Sequence, residues 1–483
     1  MWIPALVFVV FAAFFLLLRS NDFFTVDGGF RCFVVYRHRH IAFDINNHLL
    51  YLADVLAWTR IAGGLGFHLA APLEYFSTVE VMNCLAGAAC LAIVCSLLHV
   101  VTASWLQAFG GTMGYGLSKA FIAQATNANQ PMLGVFWSFF ALLFAVLSLR
   151  RKSLWPICAS GLLFALAMAT YQSTILLAFA AVILLIVDGT SDVRKVRLYA
   201  HRLMRVGAFV SSGVIATVVI FGSAYRQMGI SGPGAMVRHF FWHEEARVYL
   251  KMSVGKLLNV PIGMVRSIFP LLPSYNGIRG LLARRDFASW TFIAIVCVFC
   301  AFLLFCAVLV SRRWAHLRPC TRLGILTATV GFLFTMLPVV VYDPQYDKLW
   351  IQPLACLTVL VVIALHVIAQ KSRAYLYFSR TISILLLIGV ASNLGWVARA
   401  HSRAPYEIEE AQRLSRMIQR QDLLVGDWDH ISVLYGSLWA DEGRFFSFPT
   451  EAQKDGIEAA SHLRDLVSET SRRKGRIYFL GIL

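Results

Sequence analysis

Acidic residues are scarce in this chain. Its 483 residues hold 26 Asp and Glu against 43 Lys and Arg, and charged residues make up only 14% of the whole. A soluble domain carries about 25% charged and roughly 45–50% apolar residues; this chain is 58% hydrophobic. With the repeated apolar runs, that composition argues for one membrane domain plus extras rather than two or three soluble domains. Internal repeats and low-complexity segments are absent as well. No basic soluble module accompanies the net charge of +17, so nucleic acid is not an expected partner. A basic n-region and a small-residue cleavage site are missing around residues 2–18, which therefore read as a transmembrane helix rather than a signal peptide. The ten cysteines form no framework. Most lie inside apolar runs, and Cys297 and Cys300 have no His or carboxylate nearby, so core packing is their expected role.

What the chain has is about eleven apolar runs, at roughly 2–18, 81–100, 104–122, 131–149, 154–170, 172–187, 206–224, 288–310, 323–341, 351–369 and 381–398. Positive charge sorts onto every second connection. Arg150, Arg151 and Lys152 fill one; Arg194, Lys195, Arg197, Arg202 and Arg205 another; Arg312, Arg313, Arg318 and Arg322 a third; Lys371, Arg373 and Arg380 a fourth. The connections at 123–130 and 170–173 carry no Lys or Arg. Basic residues near membrane ends stay cytoplasmic. The expectation is a multi-pass protein of the plasma (inner) membrane with its N-terminus inside and its C-terminus outside.

Three regions then meet on the external face: the loops 19–80 and 225–287, and the tail. In the first loop Ile45, Leu49, Leu52 and Leu56 recur at helical spacing, which predicts an amphipathic helix in the interface. The tail alternates expected strands (423–426, 444–448, 477–480) with helices (430–438, 452–473), the pattern of a small α/β unit. The expected architecture is an all-α polytopic membrane domain over 1–398 and a small external α/β domain over 399–483.

With acids scarce, those at the outer border stand out. Asp27 lies just beyond the first run, and Asp44 opens the interfacial helix. A carboxylate there is costly unless paired or used, so both are candidates for a catalytic base; a helix cap is the structural alternative for Asp27. Arg37, Arg39 and His48 lie in YRHRHIAFDINNH, a stretch suited to a lipid-borne phosphate or to snorkelling towards headgroups. Its His spacing matches no metal signature, so no metal ligand is assigned. His243 and Glu244 lie in HFFWHEEARVYL, whose aromatics can stack on a sugar or form an interfacial belt. Arg247 stands where a zincin would need its second His. Tyr342, Asp343 and Lys348 share the external turn YDPQYDKLW, where Lys348 can grip a phosphate or pair with a neighbouring acid. Lys119 is a second phosphate candidate, and Asn127 and Asn129 are candidates for binding a polar ligand.

These features together resemble a GT-C fold glycosyltransferase, the polytopic class that uses polyprenyl-phosphate-linked sugars and includes the protein mannosyltransferases and aminoarabinose transferases. The resemblance rests on VDGGF (Val26 to Phe30) after the first run, NNHLLY (Asn46 to Tyr51), GLLFALAMATYQSTILL (Gly161 to Leu177), YDPQYDKLWIQPL (Tyr342 to Leu354) and the external tail. It implies a polyprenyl-phosphate-linked sugar donor, a glycan, lipid or protein acceptor, and membrane lipids as surroundings. It implies that Asp27 acts as base or orienting carboxylate. A second acid two residues on is replaced by Gly29, which makes Asp44 the substitute and leaves a divalent cation open; no other cofactor is implied. Two other classes suit a polytopic chain. A transporter or flippase needs mid-membrane charges, and the runs hold almost no mid-span acids. An O-antigen ligase or polymerase has a large external loop but no external α/β tail.

Overall fold

In the computed structural model the described residues are 2–19, 49–67, 69, 72–150, 153–187, 196–227, 229–230, 232–236, 253–270, 277–370, 373–401, 417, 419, 421–426, 444–447 and 456–480. They form helices α1 (Trp2–Leu17), α2 (Tyr51–Gly64), α3 (Pro72–Thr102), α4 (Trp105–Gly116), α5 (Lys119–Ala125), α6 (Pro131–Arg150), α7 (Trp155–Thr170), α8 (Ala178–Val187), α9 (Val196–Gln227), α10 (Val254–Ile268), α11 (Gly277–Arg284), α12 (Phe287–Arg313), α13 (Pro319–Val341), α14 (Ile351–Ala369) and α15 (Arg373–His401). The tail adds α16 (Gly456–Arg472) and strands β1 (Leu423–Gly426), β2 (Arg444–Ser447) and β3 (Ile477–Leu480).

Among the described residues six helices are long and apolar enough to cross a membrane: Glu74–Thr102, Pro131–Leu149, Ala200–Gln227, Phe287–His316, Pro319–Val341 and Ile351–Ala369. Four shorter apolar helices lie at Trp2–Leu17, Trp155–Thr170, Gln172–Val187 and Ser379–Gly395. The protein is an integral membrane protein. The run expected as one helix at 104–122 is two. α4 has 12 residues and α5 has 7, so α4 alone rises only about 18 Å. The break falls at Ser118, whose backbone is extended (φ −64°, ψ 144°). The sequence before it, with Gly110, Gly111, Gly114 and Gly116, holds a helix weakly. Those glycines serve packing instead: a Cβ on Gly116 would stand 2.6 Å from Leu91 and 2.9 Å from Phe11. In lipid, close backbone approach replaces the hydrophobic drive between helices. The same device joins α7 to α9, where a Cβ on Gly161 would stand 2.3 Å from the Phe209 carbonyl.

α14 is the hub of the bundle, with most of its side chains buried, while α12 is largely exposed along its length. α2 packs against α3, and its N-terminal entry is fixed by Leu50 N–H donating to the Ala169 carbonyl at the end of α7 (3.0 Å). Leu49 and Leu52 are buried as their spacing predicts, but Val55 is buried where Leu56 was expected, so the inner face is turned by one residue. In the tail β1 pairs in parallel with β2 and with β3, giving the order β2-β1-β3. Leu423 and Val425 bury against Leu463, Leu466 and Val467 of α16. The expected helix at 430–438 lies outside the described residues.

Candidate functional site

The segment between α13 and α14 is held from every side. Pro338 lies in the last turn of α13, and the Tyr342 N–H closes on its carbonyl (2.8 Å). Asp343 turns the chain by accepting the Gln345 N–H on its own carboxylate (2.8 Å). A short 3-10 turn follows at Asp347–Leu349. Trp350 is fully buried and donates its indole N–H to the Pro344 carbonyl (2.8 Å). α10 lies directly against this turn: a Cβ at Gly263 would meet the Pro344 carbonyl oxygen at 1.9 Å. Only glycine admits that approach.

Four cations converge on the same turn. Lys119 opens α5 and places Nζ 2.6 Å from Asp347 Oδ2, with both side chains largely buried (15% and 22% exposed). Ser267 Oγ donates to the other oxygen, Oδ1, at 3.2 Å. Lys256 Nζ donates to the Val341 carbonyl (2.6 Å), a favourable place for a cation at a helix C-terminus. Arg266 Nη1 donates to Gln345 Oε1 (3.0 Å), while its Nε is buried without an acceptor. Lys348 places its ammonium 5.4 Å from the centre of the Tyr346 ring, which meets Tyr342 edge to face. Asn393 of α15 clamps the rear, donating to the Leu117 (2.6 Å) and Ile268 (2.8 Å) carbonyls.

A second, buried polar belt lies at the other end of α5. Asn83 Nδ2 donates to the carbonyls of Asn127 (2.6 Å) and Asn129 (2.7 Å). Asn129 Nδ2 donates to Gln124 Oε1 (2.9 Å), and its Oδ1 accepts the Gln130 N–H (2.9 Å). Three buried oxygens here accept no hydrogen bond: Glu80 Oε1, Asn83 Oδ1 and Asn127 Oδ1. A third feature is Asp54 on α2, half-buried, which accepts a hydrogen bond from Thr170 Oγ1 (3.0 Å). Burial pushes its carboxyl up to about 7, the Thr170 bond opposing the shift. Asp54 is thus poised near neutral pH, where a proton acceptor is most useful.

Lys119, Tyr342, Asp343 and Lys348 are brought together at the turn, whereas Asn127 and Asn129 sit in the buried belt. Asp27, Arg37, Arg39, Asp44, His48, His243 and Glu244 lie outside the described residues. Sequence reasoning passed over Lys256, Arg266 and Ser267, which lie in the loop 225–287 rather than in any motif. Their signal was Lys and Arg in a connection outside the four basic ones that the expected topology explains. Among the described residues no group of three His, Cys, Asp or Glu stands together to hold a metal.

Neither protein-family models nor curated protein sequences give a match to this chain. Solved structures do. ArnT from Cupriavidus metallidurans bound to undecaprenyl phosphate superposes with a TM-score of 0.56 at 14% identity, over 89% of this chain and 84% of that one. The apo form of the same protein gives 0.53 at 12% identity, over 88% and 83%. The chain has the GT-C fold. At such identity the likeness carries the fold alone, so the roles of residues in this GT-C chain rest on its own geometry.

Proposed function

We propose that this protein is a membrane glycosyltransferase that moves a sugar from a polyprenyl-phosphate-linked donor to an acceptor on the external face. The observation that carries this reading is the cationic turn: Lys119, Lys256, Arg266 and Lys348 against Asp343 and Asp347, with one buried guanidinium N–H of Arg266 lacking an acceptor. Four cations gathered at one turn, on a GT-C fold, suit a lipid-borne phosphate. The fold supports it further, since the ArnT structure of the same fold is bound to undecaprenyl phosphate. The donor's apolar tail stays in the bilayer and its phosphate rests at the turn. An acceptor hydroxyl attacks the anomeric carbon, a carboxylate takes its proton, and the polyprenyl phosphate departs with the bonding electrons. The leaving phosphate gains charge, which the cations stabilise most in the transition state. Asp27 and Asp44 are the proton acceptors read from the sequence, and Asp54, which burial holds near neutral, is a third candidate.

The orientation in this reading follows the basic connections, with the tail an external α/β domain over 399–483. Binding of a polyprenyl monophosphate to the purified protein tests the phosphate site. One charge-assisted contact is worth about 1.5–3 kcal/mol, so Lys348→Ala should weaken binding roughly 10- to 150-fold. Unchanged affinity in Lys348→Ala removes that residue from the phosphate site.

A further inference from the structure

The buried belt beside α5 gathers three acceptor oxygens that receive no hydrogen bond: Glu80 Oε1, Asn83 Oδ1 and Asn127 Oδ1. Their residues are 1%, 0% and 1% exposed. Native interiors pair nearly all such atoms, with protein groups, water or an ion. Glu80 and Asn83 lie one turn apart on α3 and share a face. A helical side chain reaches back over the turn before it, which sets the Asn83 amide beside Glu80. Gly87 continues the same stripe, and a Cβ there would stand 2.8 Å from the Ala125 Cβ, so the stripe faces the end of α5. Asn127 follows two residues after Ala125. Asn83 Nδ2 donates to the carbonyls of Asn127 (2.6 Å) and Asn129 (2.7 Å). Those two bonds fix the orientation of the amide, because a flip would turn its oxygen against two carbonyls.

One water donates two hydrogen bonds and leaves the third oxygen unserved. A cation engages all three, and it offsets the carboxylate, which is costly to bury alone. Arg19 acts electrostatically on Glu80, but it is exposed beyond α1 and does not reach Oε1. Carboxylate and amide oxygens are hard ligands, which suit alkali and alkaline-earth ions. Oxygen sites gain divalent affinity with ligand charge, and here one carboxylate joins two neutral amides. We propose that Glu80, Asn83 and Asn127 bind a monovalent metal cation such as sodium, which ties the 126–130 connection to α3. α5 is only about 10 Å long, so the ion fixes the far end of the helix that carries Lys119. The site stands whether or not the sugar-transfer reading holds.

Thermal unfolding of the purified full-length protein in detergent tests it, in sodium chloride, choline chloride and calcium chloride at equal ionic strength. Sodium should stabilise the wild type saturably over choline; at ten times its dissociation constant the folding equilibrium should shift about elevenfold. Glu80→Gln keeps the side-chain size and supplies an N–H donor, so the folded variant should lose the sodium response. Glu80→Gln alone can fail to fold, so Asn127→Asp is read beside it. Its second carboxylate should add a calcium response that the wild type lacks. Equal stability of the wild type in sodium and choline overturns the proposal, and places a proton on Glu80 instead if stability then changes with pH alone. A full sodium response in folded Glu80→Gln, no calcium response in Asn127→Asp, or a larger calcium than sodium effect on the wild type overturns it as well.

Discussion

Replacing Lys119 by Met separates two roles of this residue. Its ammonium sits 2.6 Å from Asp347, and the remaining carboxylate oxygen keeps only the longer Ser267 bond. An exposed ion pair is worth roughly 0–1 kcal/mol, and breaking a fully buried one costs about 3–5 kcal/mol. At 15% and 22% exposure the pair lies between those limits, so Lys119→Met should destabilise the protein by about 2 kcal/mol. Asp347→Leu should cost a comparable amount, and the double variant should recover part of it, with a coupling of about 1–2 kcal/mol. Unfolding in detergent, read for all four proteins, measures that coupling. Effects additive within about 0.5 kcal/mol refute the pair as an energetic unit. Donor kinetics read the second role. If Lys119 also serves the donor phosphate, Asp347→Asn should leave donor use intact, because the ammonium remains, while Lys119→Met should raise the donor KM. A loss of donor use confined to Asp347→Asn contradicts the phosphate role.

Two further outcomes follow from the geometry. The Asp54 carboxyl is raised to about 7 by burial, so the native state holds its proton where the unfolded chain, near the ordinary 3.8, releases it. Its contribution to stability is therefore fully present below about pH 4 and is lost as pH rises to about 7. Asp54→Asn should stabilise the protein at pH 8 and make no difference below pH 4; thermal unfolding at both values shows it, and an equal gain at both rejects the shift. Gly263→Ala drives a Cβ into the Pro344 carbonyl, which backbone cannot yield cheaply. It should cost about 1–3 kcal/mol and weaken donor use, whereas wild-type Tm and kinetics would mean that α10 stands further from the turn.

Hydrophobic length made the membrane domain legible, because it reports the bilayer rather than the partners of a helix. The tail strands were legible from their β-rich tetrapeptides. The broken run at 104–122 was not, since its glycines keep it apolar enough for a span while Ser118 interrupts the helix and sets Lys119 at the start of α5. Its partner Asp347 lies in a distant segment of the chain, and no local spacing announces such a contact. Asp54 belongs to the helix that Leu49 and Leu52 announce, but its bond to Thr170 depends on α2 docking at the end of α7, which only tertiary packing decides.

The central claim is sugar transfer by a carboxylate from a lipid-phosphate donor, and transfer itself is the measurement closest to it. Purified protein is reconstituted with radiolabelled polyprenyl-phosphate sugar and membrane acceptor, and release of polyprenyl phosphate is followed for wild type and Asp27→Asn. Loss of a general base costs roughly 10²–10⁴ in rate, so turnover in the folded Asn variant should fall by that factor. Near-normal turnover in Asp27→Asn moves the proton acceptor to Asp44 or Asp54; no release by the wild type contradicts the account.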